Sequence, residues 1–145
     1  MKIKKIDHIG IAVENLEASL EYWADKLGLE RGESEAIPER GVKVAYLYPE
    51  KGPALEFITP WGEESPVRKF LENRGEGVHH LCFKVENLKA VMAELKEKGL
   101  SFLQEEPVRG AAGAQVAFIH PRVFNGVLLE FKEKKPKKEV KDKRK

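Results

Sequence analysis

His8 and His80 stand 72 residues apart inside two stretches that read almost alike, DHIGIAVENL from Asp7 and HHLCFKVENL from His79. A glutamate follows in each copy, Glu56 in PALEFI and Glu130 in GVLLEF, and these two are 74 residues apart. Along a strand, successive side chains point to opposite faces. Ile9, Ile11 and Val13 therefore share one face and His8 takes the other, while Leu81, Phe83 and Val85 oppose His80 and Cys82. The same rule sets Leu55 and Phe57 against Glu56, and Leu129 and Phe131 against Glu130. Two imidazoles and two carboxylates on the face the apolar residues do not use make ligands for a divalent metal with open positions, in the borderline class of Co²⁺, Mn²⁺, Ni²⁺ or Zn²⁺. One His or Glu in a strand is usually an ordinary polar side chain. A matched His and Glu in both copies, all on one face, favours the metal.

The elements that must carry these residues repeat as well. After VENL each copy runs into an amphipathic segment, EASLEYWADKLGL or KAVMAELKEKGL, with apolar residues at helical spacing and a stop near Gly28 or Gly99. GVKVAYLYP from Gly41 and GAQVAFIHP from Gly113 alternate as strands, and each turns into a glutamate-bearing strand. Weaker strand character over 29–36 and 101–106 supplies the second strand of each copy. The order is βαβββ, twice, an α+β chain with the helices on the outer face of an eight-stranded mixed sheet. The expected divisions are a first module over residues 1–59, a linker over 60–77, a second module over 78–132 and a tail over 133–145. In the linker, Ser65 before Pro66 caps a short helix reaching Asn73.

The chain has 145 residues, enough for two half-domains to share buried surface, and its formal charge is +2. That charge is unevenly spread: KEKKPKKEVKDKRK from Lys132 holds nine Lys/Arg against three Asp/Glu, a net +6, so residues 1–131 carry −4. Such a run cannot bury enough apolar surface to offset ordering, and a disordered, solvated tail beyond about Lys134 is expected in preference to a nucleic-acid arm. Cys82 is the single cysteine, so no internal disulfide is possible, and no apolar run approaches the roughly 20 residues of a membrane span. A cytoplasmic protein with no membrane and no nucleic-acid partner is expected.

The stretches DHIGIAVENLEASLEYW, PERGVKVAYL, SPVRKFLENRGEGVHHLCFKVENL and HPRVFNGVLLEF resemble the vicinal oxygen chelate superfamily over 3–131. In that superfamily, of the glyoxalase/bleomycin resistance/dioxygenase type, paired βαβββ modules form a curved, cup-like sheet around a metal. The linker helix leading into GEGVHHL, and HP followed by NGVLLE, are similar to its methylmalonyl-CoA epimerase branch. The resemblance places metal ligands on His8, Glu56, His80 and Glu130, the four reached above, with glutamine replacing Glu56 in some relatives. It implies interconversion of (2R)- and (2S)-methylmalonyl-CoA by proton transfer at C2 through a metal-stabilised enolate, and a homodimer.

Inversion at C2 needs an acid/base group on each face, and the resemblance makes Glu130 one of them. Some epimerases carry the other glutamate at the third position after the glycine of the GV strand, where this chain has Val44. Glu56, Lys43 or a metal-bound water are the substitutes, and Glu56 is preferred because it lies on the appropriate face. A glyoxalase-type isomerase uses the same ligand pattern and is the alternative enzyme. A metal-free binding protein of the same fold is the alternative of another class, disfavoured by four intact ligands. His79, on the helix side, reads as structural; His120 and Arg122 are candidate contacts to coenzyme A or a plain strand end. Gly110 and Gly113 form a loop that matches no phosphate-binding fingerprint.

Overall fold

The computed structural model describes residues 1–133, and the tail expected to be disordered lies outside the described residues. The chain runs β1 (Ile3–Ala12), α1 (Leu16–Leu27), β2 (Glu30–Ile37), β3 (Val42–Tyr48), β4 (Ala54–Pro60), α2 (Pro66–Arg74), β5 (Gly77–Val85), α3 (Leu88–Glu97), β6 (Val108–Arg109), β7 (Gln115–Ile119) and β8 (Leu128–Glu133). The expected βαβββ order is found in both halves. The strands follow the order β2-β3-β4-β1-β5-β8-β7-β6 in an eight-stranded sheet of mixed parallel and antiparallel pairs.

The described residues divide into two compact units, His8–His79 and Met1–Asp7 with residues 80–133. In the first, β1 pairs with β4 in parallel and β2, β3 and β4 pair antiparallel. Leu20 of α1 packs with Ile11, Val13, Ala45, Leu47 and Phe57. The second unit repeats the plan. There β5 pairs with β8 in parallel, and Leu88, Val91 and Leu95 of α3 pack on Ala117, Ile119, Leu129 and Phe131. In each unit the apolar side chains sit on the helix-covered face, as alternation requires.

The repeated VENL has a local cause. Asn15 and Asn87 are the N-caps of α1 and α3, each side-chain oxygen accepting from a backbone N–H three residues on, Ala18 or Ala90, at 3.0 Å. Such a cap satisfies a donor the helix start would otherwise leave without a partner. Gly28 closes α1 at φ 70°, a left-handed conformation that favours glycine, with its N–H on the Ala24 carbonyl. Ser65 caps α2 by accepting from the Val67 N–H at 3.2 Å, as expected of Ser before Pro.

One strand differs from expectation. Residues 101–106 are not a strand; pairing with β7 is confined to Val108–Arg109. Pro107 has no N–H to donate and interrupts the ladder. In its place the Leu103 N–H donates to the Phe118 carbonyl at 2.8 Å, and the Phe118 N–H donates to the Gln104 side chain at 2.9 Å. No described helix is long and apolar enough to cross a membrane.

Candidate metal and acid/base site

His8, Glu56, His80 and Glu130 are all buried, none exposing more than 7% of its surface. Parallel pairing fixes where each glutamate falls: Glu56 of β4 is opposite Gly10 of β1, and Glu130 of β8 is opposite Cys82 of β5. Each therefore lies one strand over and two residues along from its histidine, on the face away from the helix. The duplicated sequence yields the same local pair twice.

In the His8–His79 unit, His8 Nε2 is 3.6 Å from Glu56 Oε1, beyond hydrogen-bond length. The second carboxylate oxygen, Oε2, accepts from the Tyr46 hydroxyl at 2.7 Å. Tyr46 faces Glu56 directly across the β3–β4 ladder, and its ring meets His8 edge-on at 6.0 Å between centroids. In the other unit, His80 Nε2 is 3.2 Å from Glu130 Oε1. Phe118 occupies the position opposite Glu130. Two ligands of one small divalent ion, each about 2.1 Å from it, stand about 3.0–3.4 Å apart. Both nitrogen–oxygen distances are close to that separation. Buried carboxylates also demand compensating positive charge, so the donor set suits a cation of the borderline class.

Beside the His80–Glu130 pair, the Lys132 ammonium bonds Asp7 Oδ2 at 3.1 Å, both side chains being about four-fifths buried. Burial by itself would push the lysine pKa down, but Asp7, Cys82 and Glu130 outweigh it and hold the ammonium above the usual lysine range. Sequence reading finds neither this pair, whose members are 125 residues apart, nor Tyr46. The available signal for Tyr46 was the 72-residue offset, which matches it with Phe118.

The other named residues fall elsewhere. Lys43 alternates with Tyr46 and so shares the helix-side face of Ala45 and Leu47, and its ammonium lies over the Trp61 ring at 5.3 Å. That placement removes it as an acid/base candidate beside Glu56. Val44 is on the same face as Tyr46 and is buried. His79 packs edge-on against Phe70 of α2 at 4.8 Å. His120 Nδ1 accepts from the Arg122 N–H at 2.9 Å, which closes the turn after β7.

A family model of the Glyoxalase/Bleomycin resistance protein/Dioxygenase superfamily matches residues 7–118. The chain is 39% identical over 133 residues to the ethylmalonyl-CoA/methylmalonyl-CoA epimerase of Cereibacter sphaeroides, a match covering 90% of this chain and 98% of that one. Its structure is similar to crystalline methylmalonyl-CoA epimerase from Mycobacterium tuberculosis, with a TM-score of 0.89 at 34% identity over 93% of this chain and 91% of that one. A methylmalonyl-CoA epimerase in complex with methylmalonyl-CoA and NH4+ is similar at a TM-score of 0.85 and 36% identity, over 91% of this chain and 95% of that one. With the duplicated His–Glu pairs on a doubled βαβββ frame, these matches show that the chain belongs to the glyoxalase/bleomycin resistance protein/dioxygenase superfamily and, within it, to the methylmalonyl-CoA epimerases.

Proposed function

We propose that this chain is a metal-dependent epimerase that interconverts (2R)- and (2S)-methylmalonyl-CoA, with His8, Glu56, His80 and Glu130 as the metal ligands. The observation that carries the reading is the buried His–Glu contact present once in each repeat, at 3.6 Å and 3.2 Å. A divalent ion held there supplies a Lewis acid for the negative charge that develops on the thioester oxygen as C2 loses its proton. Glu130 takes the C2 proton from one face and Glu56 serves the other, so that return of a proton to the opposite face inverts the centre. Burial of both carboxylates excludes bulk water from the proton transfer. Co²⁺, Mn²⁺, Ni²⁺ and Zn²⁺ all suit the mixed nitrogen and oxygen donors. The protein works in the cytoplasm, in keeping with its lone buried thiol, and as a homodimer, in keeping with the family resemblance.

The test is incubation of the metal-loaded protein with a single methylmalonyl-CoA epimer in heavy water. Deuterium enters C2 and the other epimer accumulates if the assignment holds. No exchange, together with activity on a glutathione hemithioacetal, transfers the chain to the glyoxalase-type isomerases.

A further inference from the structure

Two residues beyond its glutamate, each copy places a matched pair of residues side by side on neighbouring parallel strands. In the first copy the pair is Ala12 and Ile58, both buried and apolar. In the second it is Lys84 and Lys132. A step of two residues keeps the same face of a strand, so both lysines lie on the face of Glu130 and Cys82, away from α3. Two neighbouring ammonium groups repel each other, and an apolar pair such as that of the first copy holds a sheet at least as well as a buried ion pair. Stability alone therefore does not account for the lysines. Lys132 donates to Asp7 Oδ2 at 3.1 Å, and its side chain keeps only 22% exposure. An ammonium has three N–H donors. Asp7 takes one, and among the described residues Lys132 makes no other hydrogen bond.

We propose that Lys132 recognises the free carboxylate of a malonyl-type thioester, with Asp7 holding its ammonium in place and Lys84 adding a second positive charge on the same face. Two residues along the strand is about 6.6 Å, a span that a lysine side chain covers. An ammonium rooted there meets a carboxylate borne by the carbon whose proton Glu130 takes. The donors left by Asp7 match the two oxygens of that carboxylate, and bonds between two charged groups are stronger than neutral ones. A thioester without the carboxylate leaves those donors unpaired, and a site built to bond a polar group rejects the analogue that lacks it. Lys132 is thereby a specificity-determining residue, selecting malonyl-type thioesters over simple acyl thioesters.

The place of C2 rests on the epimerase reading, but recognition of the carboxylate is measured by binding, apart from turnover. Calorimetry on the Co²⁺-loaded parent, Lys132→Met and Lys132→Arg compares malonyl-CoA with acetyl-CoA, which differ by the carboxylate alone. The parent prefers malonyl-CoA. Lys132→Met keeps its cobalt, binds acetyl-CoA within about twofold of the parent, and loses about tenfold or more of the preference, the scale of one hydrogen bond between charged groups. Lys132→Arg retains most of it. Asp7→Asn/Lys132→Met, which leaves no uncompensated carboxylate, takes the place of Lys132→Met should that variant not fold. An unchanged preference in the folded variant overturns the proposal, as does an equal loss for both thioesters, which marks a contact to the coenzyme A phosphates instead. Should the parent take up no deuterium at C2, the epimerase reading fails, and the calorimetric preference alone decides the role of Lys132.

Discussion

Asp7→Ala removes the carboxylate that holds the Lys132 ammonium at 3.1 Å. At that distance and an effective dielectric constant of about 20, the direct attraction is about 5 kcal/mol, much of it offset by the desolvation of both groups. The lysine side chain is 22% exposed. It therefore recovers some hydration when Asp7 is lost, and it keeps the attraction of Glu130. The net cost is about 2–3 kcal/mol, below the range for breaking a fully buried pair, and it corresponds to a fall in Tm of about 6–10 °C for a chain of this size. Circular dichroism in urea and on heating measures both. The dependence on pH has a definite sign. Because folding raises the Lys132 pKa, its stabilisation is fully present below the unfolded lysine value and is lost as pH rises through the folded one, so the penalty is flat across neutral pH and shrinks only above about pH 10. Lys132→Met completes a double-mutant cycle. A single-mutant cost under about 0.5 kcal/mol at pH 7, or a coupling energy of that size, would refute a stabilising role for the pair.

His8→Ala and His80→Ala each lose bound metal, measured by elemental analysis, while the far-ultraviolet circular dichroism stays that of the parent, because neither residue belongs to the helix-packed cores. Glu130→Gln keeps an oxygen ligand but no base, and its C2 exchange falls by about 10²–10⁴-fold at saturating metal. Glu56→Gln retains metal and suppresses exchange from one epimer more than from the other; equal parent rates from both would remove Glu56 as the second base. Asn15→Ala and Asn87→Ala each cost about 1 kcal/mol in urea unfolding, the worth of one N-cap.

The strand faces were legible because alternation is enforced by burial: a shift of one residue would place Leu55 and Phe57 where Glu56 stands. Helix ends were legible from Gly28, Gly99 and the Ser65-Pro66 pair for similarly local reasons. What escaped depended on pairing across the sheet. Residues 101–106 have a strand-like composition, yet Gln104 supplies through its side chain a bond a strand would supply through its backbone. Lys132 opens the basic run in the sequence, but it occupies β8 and is bound to Asp7 at the other end of the chain. Charge runs mark solvated segments only on average, and an individual member is released from the run by a partner that the sequence cannot display.

Duplication explains why there are two His–Glu pairs, and the copies have diverged around them. At Val44, where some relatives carry a glutamate, the repeat partner is Val116, and both are buried. Neither copy can offer a carboxylate from that position. Moving two residues along the same strand keeps the same face, and there the copies part: Tyr46 in one, Phe118 in the other. On these strands the polar difference between the halves therefore lies at this second position, where the Tyr46 hydroxyl donates to Glu56 Oε2 at 2.7 Å and Phe118 brings a ring without a hydroxyl.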